Sequence, residues 1–403
     1  MPTRRQFVKD ATLLAAAPVV GGLSPRDRIV QKGPVFAYIG TYSAGGNGNG
    51  GRGIHIFEVD AATGGLTERD VLVTSSNPSA LALGRTRTHL YAGNEVSNFE
   101  GGKTGSVSAY GIDRASGRLT LVNSVSAQGA GPAHVSVHPA GKHLFVANYG
   151  GGSVAVLPIR PDGGLGAATD TKIHEGVVGP VRATNAPPGS FAISGHNSPH
   201  AHMIQSDPSG RYVLATDLGL DVIFVWRFDQ ESGRLAPADP PSIALPPGDG
   251  PRHFAFHWNA RWLYSLQEEA STIVVFDYDA TNGRLTAKQT ISSLPKGFAG
   301  TSFTSGILIS PDARFVYVAN RLHDSITWFA IGTDGTLTFA GEEWTRGDYP
   351  RSFEFDPSGT FLYSLNQRSD AVTCFRADRP TGRLTFTGQY TPIGAPSSMV
   401  FLS

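Results

Sequence analysis

The tripeptide Gly-x-Leu returns seven times along the chain, at Gly64-Gly65-Leu66, Gly117-Arg118-Leu119, Gly163-Gly164-Leu165, Gly233-Arg234-Leu235, Gly283-Arg284-Leu285, Gly335-Thr336-Leu337 and Gly382-Arg383-Leu384. A period of about fifty residues is the signature of propeller blades, and it has to be recognised before any domain is counted. Each unit reads as a strand, a Pro-x-Gly type turn, a second strand, a tight turn, a third strand, and the Gly-x-Leu turn into a fourth. The sixth unit is the clearest. Gly306-Ile307-Leu308-Ile309 precedes the turn Ser310-Pro311-Asp312-Ala313, then Phe315-Val316-Tyr317-Val318, the turn at His323-Asp324, and Ser325-Ile326-Thr327-Trp328-Phe329. Short β-branched and aromatic runs bounded by Gly, Pro, Asn and Asp are strand and turn signals.

The two ends of the repeat are out of step. The first unit opens at Val35-Phe36-Ala37-Tyr38-Ile39, which matches a second strand, while Ala395-Pro396-Ser397-Ser398-Met399-Val400-Phe401 matches the missing first strand. Pairing the termini in one blade closes a ring and removes the exposed sheet edge. The sequence therefore predicts an all-β, seven-bladed propeller over residues 34–403, with an insertion at about 167–197, rich in Gly, Pro and Ala. The 49 glycines and 27 prolines among 403 residues are then repeated turn residues. Equal numbers of basic and acidic side chains, 33 each, argue against a nucleic-acid partner. The lone Cys374 excludes a disulfide framework and reads as a small buried hydrophobe.

Aligning the units singles out one end of the ring. Six residues before each Pro-x-Gly turn, opening the innermost strand, stand Ser79, Ala133, His202, Arg252, Ser305, Arg351 and Ser397. The second strands close with Asn94-Glu95, Asn148-Tyr149, Asp217-Leu218, Gln267-Glu268, Asn320-Arg321 and Asn366-Gln367, with Thr41-Tyr42 in the first unit. Antiparallel pairing brings both sets to one mouth of the central channel. Purely structural positions should look alike from copy to copy, yet these vary in chemistry. His202, Arg252, Glu268, Arg321 and Arg351 make a cationic rim with one carboxylate and one imidazole, suited to an anionic, oxygen-rich small molecule. Salt bridges between blades are the competing reading of those arginines.

Other polar residues read as structure. His134 and His253 follow a ring position by one residue, so strand alternation turns them toward the blade interfaces. Asp221, Asp324 and Asp370 recur at one turn as turn formers. A zinc pair from His200 and His202 lacks a third ligand, and no metal or cofactor is expected. No nucleophile elbow or dinucleotide fingerprint is present.

The segments Gly131-Pro132-Ala133-His134-Val135, Ser198-Pro199-His200-Ala201-His202, Gly250-Pro251-Arg252-His253-Phe254, Gln267-Glu268 and Ala319-Asn320-Arg321 resemble the lactonase family of seven-bladed propellers. That family includes propeller-type 6-phosphogluconolactonases and carboxy-muconate cyclases. The resemblance spans nearly the whole chain after its first residues and implies an active site of His202, Arg252, Glu268 and Arg321. It implies lactone hydrolysis, with His202 or Glu268 as general base, Arg252 at the oxyanion and Arg321 at an anionic end of the substrate. Arg351 and Gln367 would extend the anion pocket. Asn148, Tyr149, His200 and Asn320 would contact the rest of a polyhydroxylated lactone. Gln267 stands where the family often has Asn. A lactone-forming muconate cycloisomerase and a non-catalytic ligand-binding propeller are the alternatives.

Thr3-Arg4-Arg5-Gln6-Phe7-Val8-Lys9 ahead of the weakly apolar run Ala11 to Val20 resembles a twin-arginine export leader, expected over residues 1–30. Export would make the protein periplasmic or secreted, with no membrane-spanning segment and a monomeric or weakly self-associating state. Phosphorylated sugar acids are scarce there, so the expected substrate is an unphosphorylated or carboxylated lactone.

Overall fold

The computed structural model describes residues 33–44, 50–74, 76–191 and 195–403, so the expected leader lies outside the described residues. The described residues form seven four-stranded antiparallel sheets. The innermost strands of successive blades touch one another all the way round, so the ring is closed. In the closing blade the C-terminal strand Pro396–Leu402 pairs with Val35–Thr41, Phe36 facing Leu402 and Tyr38 facing Val400. Closure by the chain ends thus follows the offset of the repeat. No helix of the described residues is long and apolar enough to cross a membrane.

Position within the blade explains the strand compositions. Second strands such as His143–Asn148, Trp262–Gln267 and Phe361–Asn366 are buried along their whole length, so they read as unbroken apolar runs. Fourth strands such as Leu337–Trp344 mix exposed and covered positions. The core lies between blades: Tyr264, Leu266, Ile273 and Val275 of one blade pack against Ile307, Val316, Val318 and Phe329 of the next. Cys374 is buried in such a layer. Burial raises its thiol to about 11.

The recurring tripeptide has a second task besides turning the chain. Its first glycine has positive φ in all seven copies, between 67° and 86°. In five blades a buried tyrosine of the second strand donates to that glycine's carbonyl in the neighbouring blade: Tyr38 to Gly117, Tyr91 to Gly163, Tyr264 to Gly335, Tyr317 to Gly382 and Tyr363 to Gly64, at 2.6–3.1 Å. A Cβ at Gly335 would fall 2.4 Å from the Trp262 ring, so both conformation and close packing require glycine.

The expected insertion begins later than the composition suggests. Asp170–Ile173 pairs with Ser153–Val156 as the fourth strand of its blade, so the excursion runs from 174 to 200. It is pinned to the blades by His174 Nδ1 on Asp217 (2.7 Å), by the Gly179 amide on Gly219 O (2.9 Å), and by the Gly300 amide on Pro188 O (2.9 Å).

Candidate active site

All seven ring positions share one backbone irregularity. In each innermost strand the register slips where Ser79, Ala133, His202, Arg252, Ser305, Arg351 or Ser397 stands, so these residues have no partner in the ladder. A β-bulge re-aims side chains and breaks the strict alternation of a strand. That corrects the reading of His253 as an interface residue, whereas His134 keeps it: its Nδ1 accepts from the Ile204 amide of the next blade at 3.5 Å. The His253 ring lies 5.1 Å from that of His202 and 5.7 Å from that of His134, and its Nε2 is 3.3 Å from Arg252 Nη1.

Glu268 is the centre of the cluster. Its Oε2 lies 2.9 Å from Arg252 Nε and 2.7 Å from Arg321 Nη2. Arg252 also donates to Ser305 O, and Arg321 to Thr304 O (2.8 Å) and to the Tyr349 hydroxyl (3.1 Å). All three charged side chains are nearly inaccessible, Arg252 at 2%, Arg321 at 3% and Glu268 at 6% exposure. Burial, and then the charges of Arg321 and Arg351, pull Arg252 below its ordinary value, while Glu268 acts in the opposite sense.

His202 stands beside this group with Tyr149 edge-on at 5.4 Å. Burial is the main force that holds its imidazole well below the usual range, followed by the charges of Arg252, His253 and Arg351. It is therefore uncharged near neutrality, and its Nδ1 has no hydrogen-bond partner among the described residues. A neutral imidazole beside buried guanidiniums can accept a proton while they stabilise developing negative charge.

The rim has a second carboxylate, which the sequence reading aligned at a closing position but did not count with its charged set. Glu95 Oε2 accepts from the Tyr42 hydroxyl (2.8 Å) and the Ser79 hydroxyl (2.6 Å), and lies 3.8 Å from Arg351 Nη2. The Arg351 guanidinium also lies over the Tyr42 ring. Burial alone would lower Arg351, but the Tyr42 and Glu95 side chains hold it above its ordinary value. Glu95 occupies the same repeat position as Glu268, which is the signal that could have found it. Tyr349, between the guanidiniums of Arg321 and Arg368, carried no such signal because it precedes the aligned strand.

Three expected substrate contacts have other placements. Asn148 and Asn320 are fully buried, and their amides donate outward along the blade, Asn148 to Ala127 O and Ser153, Asn320 to Ser293 O, Ser325 and Thr327. Strand alternation is the reason: the first residue of each closing pair faces the next strand. His200 stacks on Tyr149 at 4.2 Å and engages both nitrogens, Nδ1 with Tyr149 O (2.9 Å) and Nε2 with Asn197 (2.6 Å), so it fixes the end of the insertion. Gln367 remains at its rim position, half-buried, with its backbone N–H donating to Tyr349 O (3.1 Å).

The family described as Lactonase, 7-bladed beta-propeller matches residues 36–401. The chain belongs to the lactonase family. A relative named 6-phosphogluconolactonase from Bacillus subtilis is 34% identical over 368 residues, 91% of this chain and 98% of its own length. Another of that name from Serratia proteamaculans is 31% identical, over 85% of this chain and 92% of its own length. Among solved structures, a periplasmic gluconolactonase from Pseudomonas aeruginosa superposes with a TM-score of 0.81 at 33% identity, covering 92% of this chain and 99% of that one. The resemblance read from the segments around His202, Arg252 and Glu268 is therefore a family relationship, and it runs through all seven blades of this lactonase-family propeller.

Proposed function

We propose that the protein hydrolyses an unphosphorylated sugar lactone at the channel mouth, without a metal ion, using His202, Arg252, Glu268 and Arg321. The observation that carries this reading is an uncharged, buried imidazole next to two buried arginines that share one carboxylate. Water attacks the lactone carbonyl as His202 takes one of its protons. The oxyanion of the tetrahedral intermediate forms against the Arg252 guanidinium. The intermediate collapses with cleavage of the bond from the carbonyl carbon to the ring oxygen, and the His202 imidazolium returns its proton to that oxygen. The product is an open hydroxy acid, which ionises into solvent.

Glu268 has the role of orienting its two arginines, because its Oε2 is occupied by both; this assigns the base to His202 rather than Glu268. Arg321, Arg351 and Gln367 bind the substrate's oxygen atoms, and the Tyr149 hydroxyl contacts its ring. The donor set favours chemistry without a metal: guanidiniums do not ligate cations, and both carboxylates are committed to arginines or hydroxyls. The three rim arginines face Glu268 and Glu95, so one positive charge remains in excess, which suits a developing oxyanion better than a doubly charged phosphate. The relative named periplasmic gluconolactonase supports the same choice and supports export by the twin-arginine leader.

Acid release from glucono-δ-lactone, its 6-phosphate, a carboxylated lactone and a cis,cis-muconate, measured with and without chelator, tests the reading. We expect turnover of the unphosphorylated lactone that chelator does not change. Preference for the phosphate ester, or loss with chelator and rescue by metal, would overturn the corresponding part.

A further inference from the structure

We propose that His196, in the insertion, is a positioning residue for this site: held between Asp221 and Glu269, it sets the backbone that carries Arg252 and Glu268. The inference rests on the lactone-hydrolysis reading above. His196 is fully buried, its Nε2 3.1 Å from Asp221 Oδ1 and its Nδ1 2.5 Å from Glu269 Oε2. These contacts bring together three segments: the insertion, a turn of one blade, and the residues just after a strand of the next.

Each partner leads directly to the site. Asp221 accepts the amides of Gly248 (2.6 Å) and Gly250 (2.8 Å), the latter two residues before Arg252. The Glu268 amide donates to Gly250 O (2.7 Å) and the Glu269 amide to Asp249 O (3.1 Å), so the strand ends bearing Arg252 and Glu268 are tied at the same place. Gly250 has φ +70, and a Cβ there would meet Glu269 Oε2 at 3.3 Å and His196 Cε1 at 3.5 Å, so the clamp packs directly against this backbone. Downstream, the insertion passes His200, stacked on Tyr149, and enters the bulge of His202. Turn-forming Asp324 and Asp370 accept the backbone amides of Tyr349 and Ala395 in the same way.

The charged and titratable groups facing His196 are Asp221, Glu269 and Asp249. Burial alone would lower the imidazole, but Asp221 and Glu269 lift it to about 10. Burial, and then the charges of Asp221 and Glu269, push Asp249 up to about 7 against the donating Asn185 amide at 3.2 Å. Because the folded value lies above the unfolded one, the clamp is fully stabilising below about pH 6.5 and is lost only as the pH rises through about 10.

The test compares wild type and His196→Gln on glucono-δ-lactone, with melting curves. Without the imidazolium one of the facing carboxylates must bind a proton to remain buried. The variant is expected to lose kcat about tenfold to a hundredfold with KM within about threefold, as small displacements of reacting groups do. Its kcat should partly recover between about pH 8 and about pH 6, where wild type is flat. Glu269→Gln, which preserves shape and an acceptor oxygen, provides the same comparison if His196→Gln does not fold, with a loss of about tenfold expected. A folded His196→Gln or Glu269→Gln variant with wild-type kcat and pH profile would overturn the inference and leave His196 as an anchor of the insertion. A wild type that turns over no lactone would instead defeat the underlying functional reading.

Discussion

In the proposed reaction His202 and Glu268 carry different tasks although both are buried within one cluster. The His202 imidazole is held well below its ordinary value, so it stays neutral as the pH falls through 6.5 and loses its basic form only further down. The pH dependence of kcat/KM is therefore expected to be flat from about pH 8 to about pH 6, with its acid limb below the usual imidazole range. An inflection near 6.5 would contradict the burial of a neutral base. Glu268→Gln removes the charge shared by Arg252 and Arg321 and should cost about 3–5 kcal/mol, read as a lower denaturant midpoint, together with loss of turnover. Unchanged stability would deny the shared pairing. Alignment of repeats made His202, Arg252, Glu268 and Arg321 legible because their chemistry breaks a pattern. Asn148 and Asn320 were misplaced for the opposite reason: an asparagine repeated in blade after blade is a structural position, and its amide bonds within the blade.

At the scale of elements, the Gly-x-Leu turn and its tyrosine partner form the joints between blades. Tyr317→Phe removes only the hydroxyl that donates to Gly382 O and is expected to cost about 1 kcal/mol, measured by denaturant unfolding. Gly335→Ala should cost more, since it adds left-handed strain of about 1–2 kcal/mol to a collision with Trp262. A larger loss from the tyrosine variant than from the glycine variant would reverse this ranking. The glycines were readable as turns, whereas the bulges were not, because register is a property of two paired strands. That is why His253 was assigned to an interface and lies instead against Arg252. The short strand Asp170–Ile173 escaped notice within a polar stretch, which moved the expected start of the insertion.

At the scale of the whole molecule, closure depends on the last residues of the chain. Deleting residues 396–403 would strip the closing strand from Val35–Thr41 and remove Met399 and Phe401 from a blade interface, so no cooperative thermal transition is expected. A full-length melting profile from the truncated chain would show that the ring does not need its closing strand. The ring and its offset were legible because each is repeated or stated twice in the sequence. The balance of 33 basic and 33 acidic residues said nothing about the rim, where three arginines meet two carboxylates. The account stands on that rim acting as a lactone hydrolase with His202 as base. Its most direct test is the initial rate of glucono-δ-lactone hydrolysis by wild type and His202→Asn, each verified as folded by its melting curve. The account predicts turnover by wild type and a fall in kcat of about 10²–10⁴-fold in the variant. Equal turnover by a folded His202→Asn protein would contradict it.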